Sequence, residues 1–479
     1  MKYVCFLIGI LFCDGAIQVA TGVELENPSQ DYLMPTIYQL DNGMRVILNS
    51  DDSANSIDYR VVIGVGMGDY NCLDSQVPHI LEHVMFAGTA DRGAADLTAE
   101  IGRYGGDLNA STRLENTVYS LSVSRFYARE ALGLIHDMLT RTEISEANFL
   151  HAKSIVAQEL VSMPVNPIAR QLSNWGVHRS TVQRAYQYLL PGDPIACLEF
   201  DALSHITRQQ IQDAYDRYYV ASNTTLIVVG GFDEVQMRVF VDETFGQMPT
   251  QDAIERISPS EWPTVESRVF RDRLSDVSAV DFLWRLPDRN HPDVMLLRLL
   301  SKHLNRELFN VIRLDNSLSY SPRVNVSFNE RYGLMHMRAH VLPGDTGQLR
   351  EVMTGFIANQ IEQGISEQSL EDIVHSILMR ELSMNWDSSS LADFYYRNVS
   401  DVQRHGKFQD YYQSVSSITP AEINQVMQKY LSPEKMIVLH RTQLFGPKTK
   451  SFFYYLFIVC LIYLVADAIY RFVRKWRRV

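Results

Sequence analysis

Ile206-Thr207 leads through Ile211 to Tyr218 and into the apolar run Leu226-Ile227-Val228-Val229. The same order returns as Ile418-Thr419, Ile423, Tyr430 and Met436-Ile437-Val438-Leu439. The first part of the echo keeps a constant offset of 212 residues, and the apolar run lies two residues closer in the second copy. Each copy reads as a polar-capped amphipathic helix running into a buried strand, and each closes a segment of about 200 residues, an ordinary domain size. A helix–strand unit repeated at that distance predicts two similar domains in tandem.

Between the copies, Gln247 to Glu266 carries Pro249, Pro259 and Pro263 among acids and serines, the composition of a linker. It separates a first domain at 36–246 from a second at 267–447. Within the halves, strand patterns such as Met44 to Leu48 and Tyr332 to Val341 mix with helical ones such as Ala128 to Leu139. Leu108 to Ala110 followed by Val118 to Leu121 reads as a hairpin, so each sheet is expected to be largely antiparallel with helices packed on it. The fold class is therefore α+β. A chain of 479 residues, 46% hydrophobic and 21% charged with no low-complexity run, has the composition of a folded protein of this size.

Both ends depart from that average. Met1-Lys2-Tyr3 and the apolar run Val4 to Phe12, followed by Ala20-Thr21-Gly22, read as a secretory signal peptide over 1–22. Phe452 to Tyr470 is apolar apart from Asp467 and long enough for a membrane-crossing helix. Arg471, Arg474, Lys475, Arg477 and Arg478 follow it, against Lys448 and Lys450 on the other flank, so 471–479 is expected to be a basic cytoplasmic tail. This topology puts both domains outside the cytoplasm, on the periplasmic face of the inner membrane if the cell is bacterial. The net charge is -12, and from Lys448 onward seven bases stand against one acid. With the leader charges cancelling, the part between carries about -18, which excludes nucleic acid as a natural partner. Only Cys72 and Cys197 lie outside the leader and the membrane run. A disulfide framework is excluded, while a single bridge is permitted.

His79-Ile80-Leu81-Glu82-His83 carries the chemistry. Histidines four residues apart on a helix share a face and can bind one ion, and Glu82 projects near that face. Asp74 or Ser75 is expected to cap this helix, Pro78 falls in its first turn, and Leu81, Val84 and Met85 supply apolar contacts. Two imidazoles that leave a coordination position open, with a carboxylate to take a proton from water, are what zinc-dependent hydrolysis requires. The best third ligand is Glu159, on a helix opened by Ser145 whose apolar stripe is Phe149, Ala152, Val156, Leu160 and Met163. A carboxylate at the edge of such a stripe is costly unless paired or ligated.

Together with Leu40 to Val46, Gly64 to Asp69, the continuation Val84 to Thr89, Gly106 to Ala110, Glu115 to Tyr119 and the seventy-six residues from His83 to Glu159, this motif resembles the inverzincins. That superfamily contains pitrilysin, insulin-degrading enzyme and the mitochondrial processing peptidases. The resemblance runs from Thr36 to His440, and Leu304 to Phe309 with Arg313 and Tyr320 is similar to the superfamily's Arg/Tyr substrate-binding pair. It implies one zinc ion per chain held by His79, His83 and Glu159, with Glu82 as the base. It implies that Asn109 and Ala110 belong to an edge strand that receives the substrate backbone, and that Arg313 and Tyr320 bind substrate. Tyr320 would add a catalytic donor to the oxyanion. It further implies a homodimer, or a heterodimer with a homologous chain, closing around a peptide or unfolded protein. One departure is Ala152, where a second glutamate is common. The expected activity is that of a zinc metalloendopeptidase or oligopeptidase; the alternative is a weak or silent homologue acting as a scaffold or partner subunit. A mitochondrial presequence peptidase is disfavoured, because the leader is neither arginine-rich nor amphipathic.

Overall fold

The computed structural model describes residues 34–89, 91–162, 180–196, 203–252, 264–272, 275, 277–382, 386–409, 411–443, 455–463 and 465. The first sheet uses β1 (Thr36–Gln39), β2 (Arg45–Ser50) and β3 (Ser56–Ile63). The short hairpin β4 (Gly88–Thr89) and β5 (Arg92–Gly93) follows, and then β6 (Asp107–Thr112), β7 (Thr117–Ser124) and β8 (Thr224–Gly230) complete the sheet. Its strand order is β1-β2-β8-β3-β7-β6. The second sheet contains β9 (Arg268–Asp272), β10 (Ala279–Leu286), β11 (Arg323–Phe328), β12 (Gly333–His340) and β13 (Ile437–Arg441), ordered β11-β12-β10-β13-β9. Apart from β1, this is the first order repeated, and the parallel pair falls in the same place: β2 with β8, β9 with β13. All other neighbours are antiparallel. The architecture is mixed α+β, as expected.

The repeat read from the sequence is the unit that supplies each sheet with an interior strand, the one in its parallel pair. Arg208–Tyr218 precedes β8 and Pro420–Tyr430 precedes β13, each opened by a threonine capping box. Thr207 accepts from the Gln210 backbone while the Gln210 side chain reaches back, and Thr419 and Glu422 do the same. This satisfies orphan donors at both helix starts and explains why the polar positions repeat along with the apolar ones.

Each half covers the other's sheet. The outer face of the first sheet, with Ile47, Val62, Val118, Ile227 and Val229, is closed by Leu391, Ala392, Tyr395 and Tyr396 from the helix Ser388–Arg397 of the second half. Tyr395 stacks on Phe408 at 4.8 Å, and Asn49 Nδ2 donates to its hydroxyl at 2.8 Å. Conversely, Ala185 and Leu189 of Thr181–Leu189, in the first half, pack with Leu283, Leu334 and Leu439 of the second sheet. Arg60 is buried and binds Asp393 at 3.1 Å, so the exchange carries an ion pair as well as apolar area. No pattern within one half announces this arrangement, because each exchanged helix is an ordinary amphipathic one.

Cys72 is disulfide-bonded, and its partner lies outside the described residues. So do the signal segment 1–22, the tail 471–479 and much of 452–470. Residues 455–463 are helical with exposed apolar side chains, and no helix among the described residues is long and apolar enough to cross a membrane.

Candidate functional site

Helix Val77–Met85 buries Val77, Ile80, Leu81, Val84 and Met85 in the first core, which leaves His79 and His83 on its opposite face. Their rings lie 5.1 Å apart. Helix Glu146–Ser162 packs across it, opened by Ser145, whose Oγ accepts from the Asn148 N–H. That crossing brings Glu159 Oε2 to 3.2 Å from His79 Nε2 and Glu159 Oε1 to 3.5 Å from His83 Nε2. One ligand atom from each of the three residues lies within 4.8 Å of the others, a spacing that could hold a metal ion. The donor set of two imidazoles and one carboxylate fits zinc and leaves a coordination position open.

The cap expected at Asp74 or Ser75 is corrected. Gln76 is the N-cap residue and makes no side-chain cap hydrogen bond. The Asp74 carboxylate instead accepts from Asn71 and Gln210, and Ser75 Oγ donates to the Cys72 carbonyl. Gln76 is thereby free to accept from His79 Nδ1 at 3.0 Å, which leaves Nε2 as the lone-pair nitrogen facing Glu159. Burial, helped by the neighbouring His83, lowers the His79 pKa and favours the neutral ring that ligates metals.

Glu82 is 6% exposed. Thr112, at the end of β6, donates to its Oε2 at 2.7 Å and lies 3.2 Å from Thr117 Oγ1, which donates to the Val65 carbonyl. Burial pushes the Glu82 carboxyl up, against the opposing pull of the Thr112 hydrogen bond. A carboxylate raised from its usual range is a better proton acceptor near neutrality. Gln76 and Thr112 were not found from the sequence. A glutamine before a proline and a threonine in a strand carry no signal until the fold sets them beside His79 and Glu82.

Glu159 departs from the sequence argument in one respect. Its side chain is 49% exposed, so the cost of a buried carboxylate is not what singles it out. The crossing of the two helices does. Ala152 is buried in the core, two helical turns before Glu159. Asn109 and Ala110 lie in β6, the edge strand, with Asn109 Oδ1 accepting from the Ala110 N–H.

Arg313 and Tyr320 are not brought to this cluster by any contact among the described residues. Arg313 sits in a π-helical stretch, Asn310–Asp315, with its guanidinium 4.2 Å from the Tyr320 ring centre and 4.9 Å from that of Phe309. Tyr320 is 79% exposed. Both line a cleft of the second domain.

Residues 45–186 match the family model described as insulinase (peptidase family M16), and residues 205–377 match the peptidase M16 inactive domain. His79, Glu82, His83 and Glu159 all fall in the first segment. An uncharacterized zinc protease of Bacillus subtilis (strain 168) is 24% identical over 344 residues, 70% of this chain and 80% of that protein. Among solved structures, a protease from Helicobacter pylori superposes with a TM-score of 0.74 at 19% identity, covering 85% of this chain and 99% of that one. The periplasmic protease PqqL from Escherichia coli gives 0.69 at 17%, covering 87% of this chain and 49% of that one.

Proposed function

Because this chain belongs to peptidase family M16, the inverzincin superfamily, and carries two domains of that family, we propose that it is a zinc metallopeptidase that hydrolyses extended peptides. The observation that carries the reading is the convergence of His79 Nε2 and His83 Nε2 on the Glu159 carboxylate, with Glu82 buried alongside.

His79, His83 and Glu159 would hold one zinc ion. Zinc in such a site supplies Lewis-acid polarisation of the scissile carbonyl and of a water. Glu82 would accept a proton from the attacking water and return it to the amine as the C–N bond breaks. Gln76 keeps the His79 ring in the ligating tautomer, and Thr112 holds the Glu82 carboxyl in place. The β6 edge at Asn109 and Ala110 offers backbone groups to an extended substrate.

The substrate reading extends to Arg313 and Tyr320, where a guanidinium lying over the ring would offer donors to a peptide carbonyl and the hydroxyl one to the oxyanion. Tyr320→Phe is expected to lower kcat by about ten- to a thousandfold with zinc content unchanged. Wild-type kinetics in that variant would confine substrate handling to the first domain.

The site would work outside the cytoplasm. The disulfide at Cys72 and the similarity to a periplasmic protease support that placement, and the apolar run 452–470 would attach the chain to a membrane. PqqL is about twice the length that this chain covers, which supports pairing with a second homologous chain. The function is tested by digesting a peptide library with the purified chain and sequencing the products by mass spectrometry. Internal cleavage that stops on chelation is the expected result, and intact peptides from a zinc-loaded chain would point to the silent-subunit alternative.

A further inference from the structure

The second domain keeps the architecture around the His79/His83/Glu159 cluster but changes its chemistry. β11 is the edge strand of its sheet, as β6 is of the first. Helix Val294–Phe309 packs on β11 and on helix Glu367–Leu382, as Val77–Met85 packs on β6 and Glu146–Ser162. On Val294–Phe309, Arg298, Ser301 and Lys302 stand at the spacing of His79, Glu82 and His83. Where the first domain has two imidazoles and a carboxylate, the second has two cations and a hydroxyl.

These three residues line one cleft of about 1170 Å³, together with Arg306, Arg313, Arg323 and Arg380. Asp372 is the single acid in the described lining, and it lies 3.5 Å from Arg306. Among the described residues neither Arg298 nor Lys302 forms an ion pair. Partial desolvation, with the nearby Arg380, lowers the Lys302 pKa. Aromatic faces hold two of the guanidinium groups: Arg298 lies 5.8 Å from the Phe328 ring centre, and Arg313 lies over Tyr320. A recess so cationic in a chain of net charge -12 favours an anionic ligand through its local field.

We propose that the part of this cleft around Arg298 and Lys302 is a receptor for an acidic peptide segment, an Asp- or Glu-rich stretch of the substrate flanking the bond that the first domain cuts and that Arg313 and Tyr320 engage. The proposal rests on the peptidase reading and names a class of substrate for it. An extended peptide suits the place, because Arg323 to Val326 of the edge strand form one wall and strand edges accept extended chains. A polynucleotide needs a longer basic track than one recess on an acidic chain.

The test uses the full-length chain carrying Glu82→Gln, so that peptides bind without being cut. Three fluorescent peptides of equal length, acidic, neutral and basic, are titrated at low ionic strength and followed by anisotropy. The acidic peptide is expected to bind at least about tenfold more tightly than the neutral one, and the preference should shrink with added salt. Arg298→Glu with Lys302→Glu should abolish the preference, and the milder pair Arg298→Gln with Lys302→Gln should reduce it, which keeps the test usable if charge reversal impairs folding. Equal binding of the three peptides would overturn the proposal, as would a preference that survives both double variants. A single-stranded oligonucleotide that displaces the acidic peptide at lower concentration than unlabelled acidic peptide would also overturn it. Hydrolysis of the neutral peptide by the unsubstituted chain is measured separately: its absence alongside an intact acidic preference would count against the peptidase reading and not against the cleft.

Discussion

Glu82→Gln is expected to lower kcat by about a hundred- to ten-thousandfold while zinc stays bound. The amide has nearly the shape of the carboxylate and can keep the hydrogen bond from Thr112, so the helix and both histidines should remain in place. What it loses is the capacity to accept a proton from water, and the surroundings of Glu82 are arranged for that task. The side chain is buried, its carboxyl is pushed up by desolvation, and it lies one residue from His83. Glu159→Gln gives the complementary result. An uncharged amide is a poorer ligand for a dication, so zinc affinity should fall by more than the roughly 10–100-fold typical of a supporting residue. Bound metal measured by mass spectrometry and cleavage of one peptide, in both variants, separate the two roles. Full activity in Glu82→Gln would remove the proposed base, and undiminished zinc binding in Glu159→Gln would remove the third ligand.

Tyr395→Ala is expected to destabilise the protein by about 3–5 kcal/mol, the range for deleting a large buried aromatic ring. The consequence should appear in the domain that does not contain the substitution. Tyr395 lies on Ser388–Arg397, yet it is fully buried against the outer face of the first sheet and its hydroxyl accepts from Asn49 of β2. Its loss opens a cavity between that helix and β2, β3 and β8. Amide exchange in β3 and β8 should therefore quicken, and the urea midpoint should move to lower concentration with its slope kept. Faster exchange confined to the second domain, with β3 and β8 unchanged, would contradict the exchanged-helix arrangement.

What the sequence disclosed was local, and what it withheld depended on the fold. The helix–strand repeat was legible because its capping threonines and its apolar run are adjacent in the chain, and both copies form the same element, a helix leading into an interior strand. The shared face of His79 and His83 was legible from a four-residue spacing. Glu159 was found by its place on an amphipathic helix, although the reason offered, the cost of burial, does not hold for a half-exposed side chain. The helix cap at Asp74 or Ser75 failed because Gln210, far along the chain, competes for the Asp74 carboxylate. Gln76, Thr112 and the covering of each sheet by the other half's helix could not be read, since each depends on contacts that exist only after the chain has folded.

The most direct measurement is a zinc titration of the metal-stripped, purified chain, with bound zinc and peptide cleavage recorded on the same samples. Both should rise together and level off at one zinc per chain, with cleavage abolished by chelation and restored by added zinc. Cleavage that is already complete without zinc, or one bound zinc per chain with no cleavage of any peptide in the library, would contradict the account.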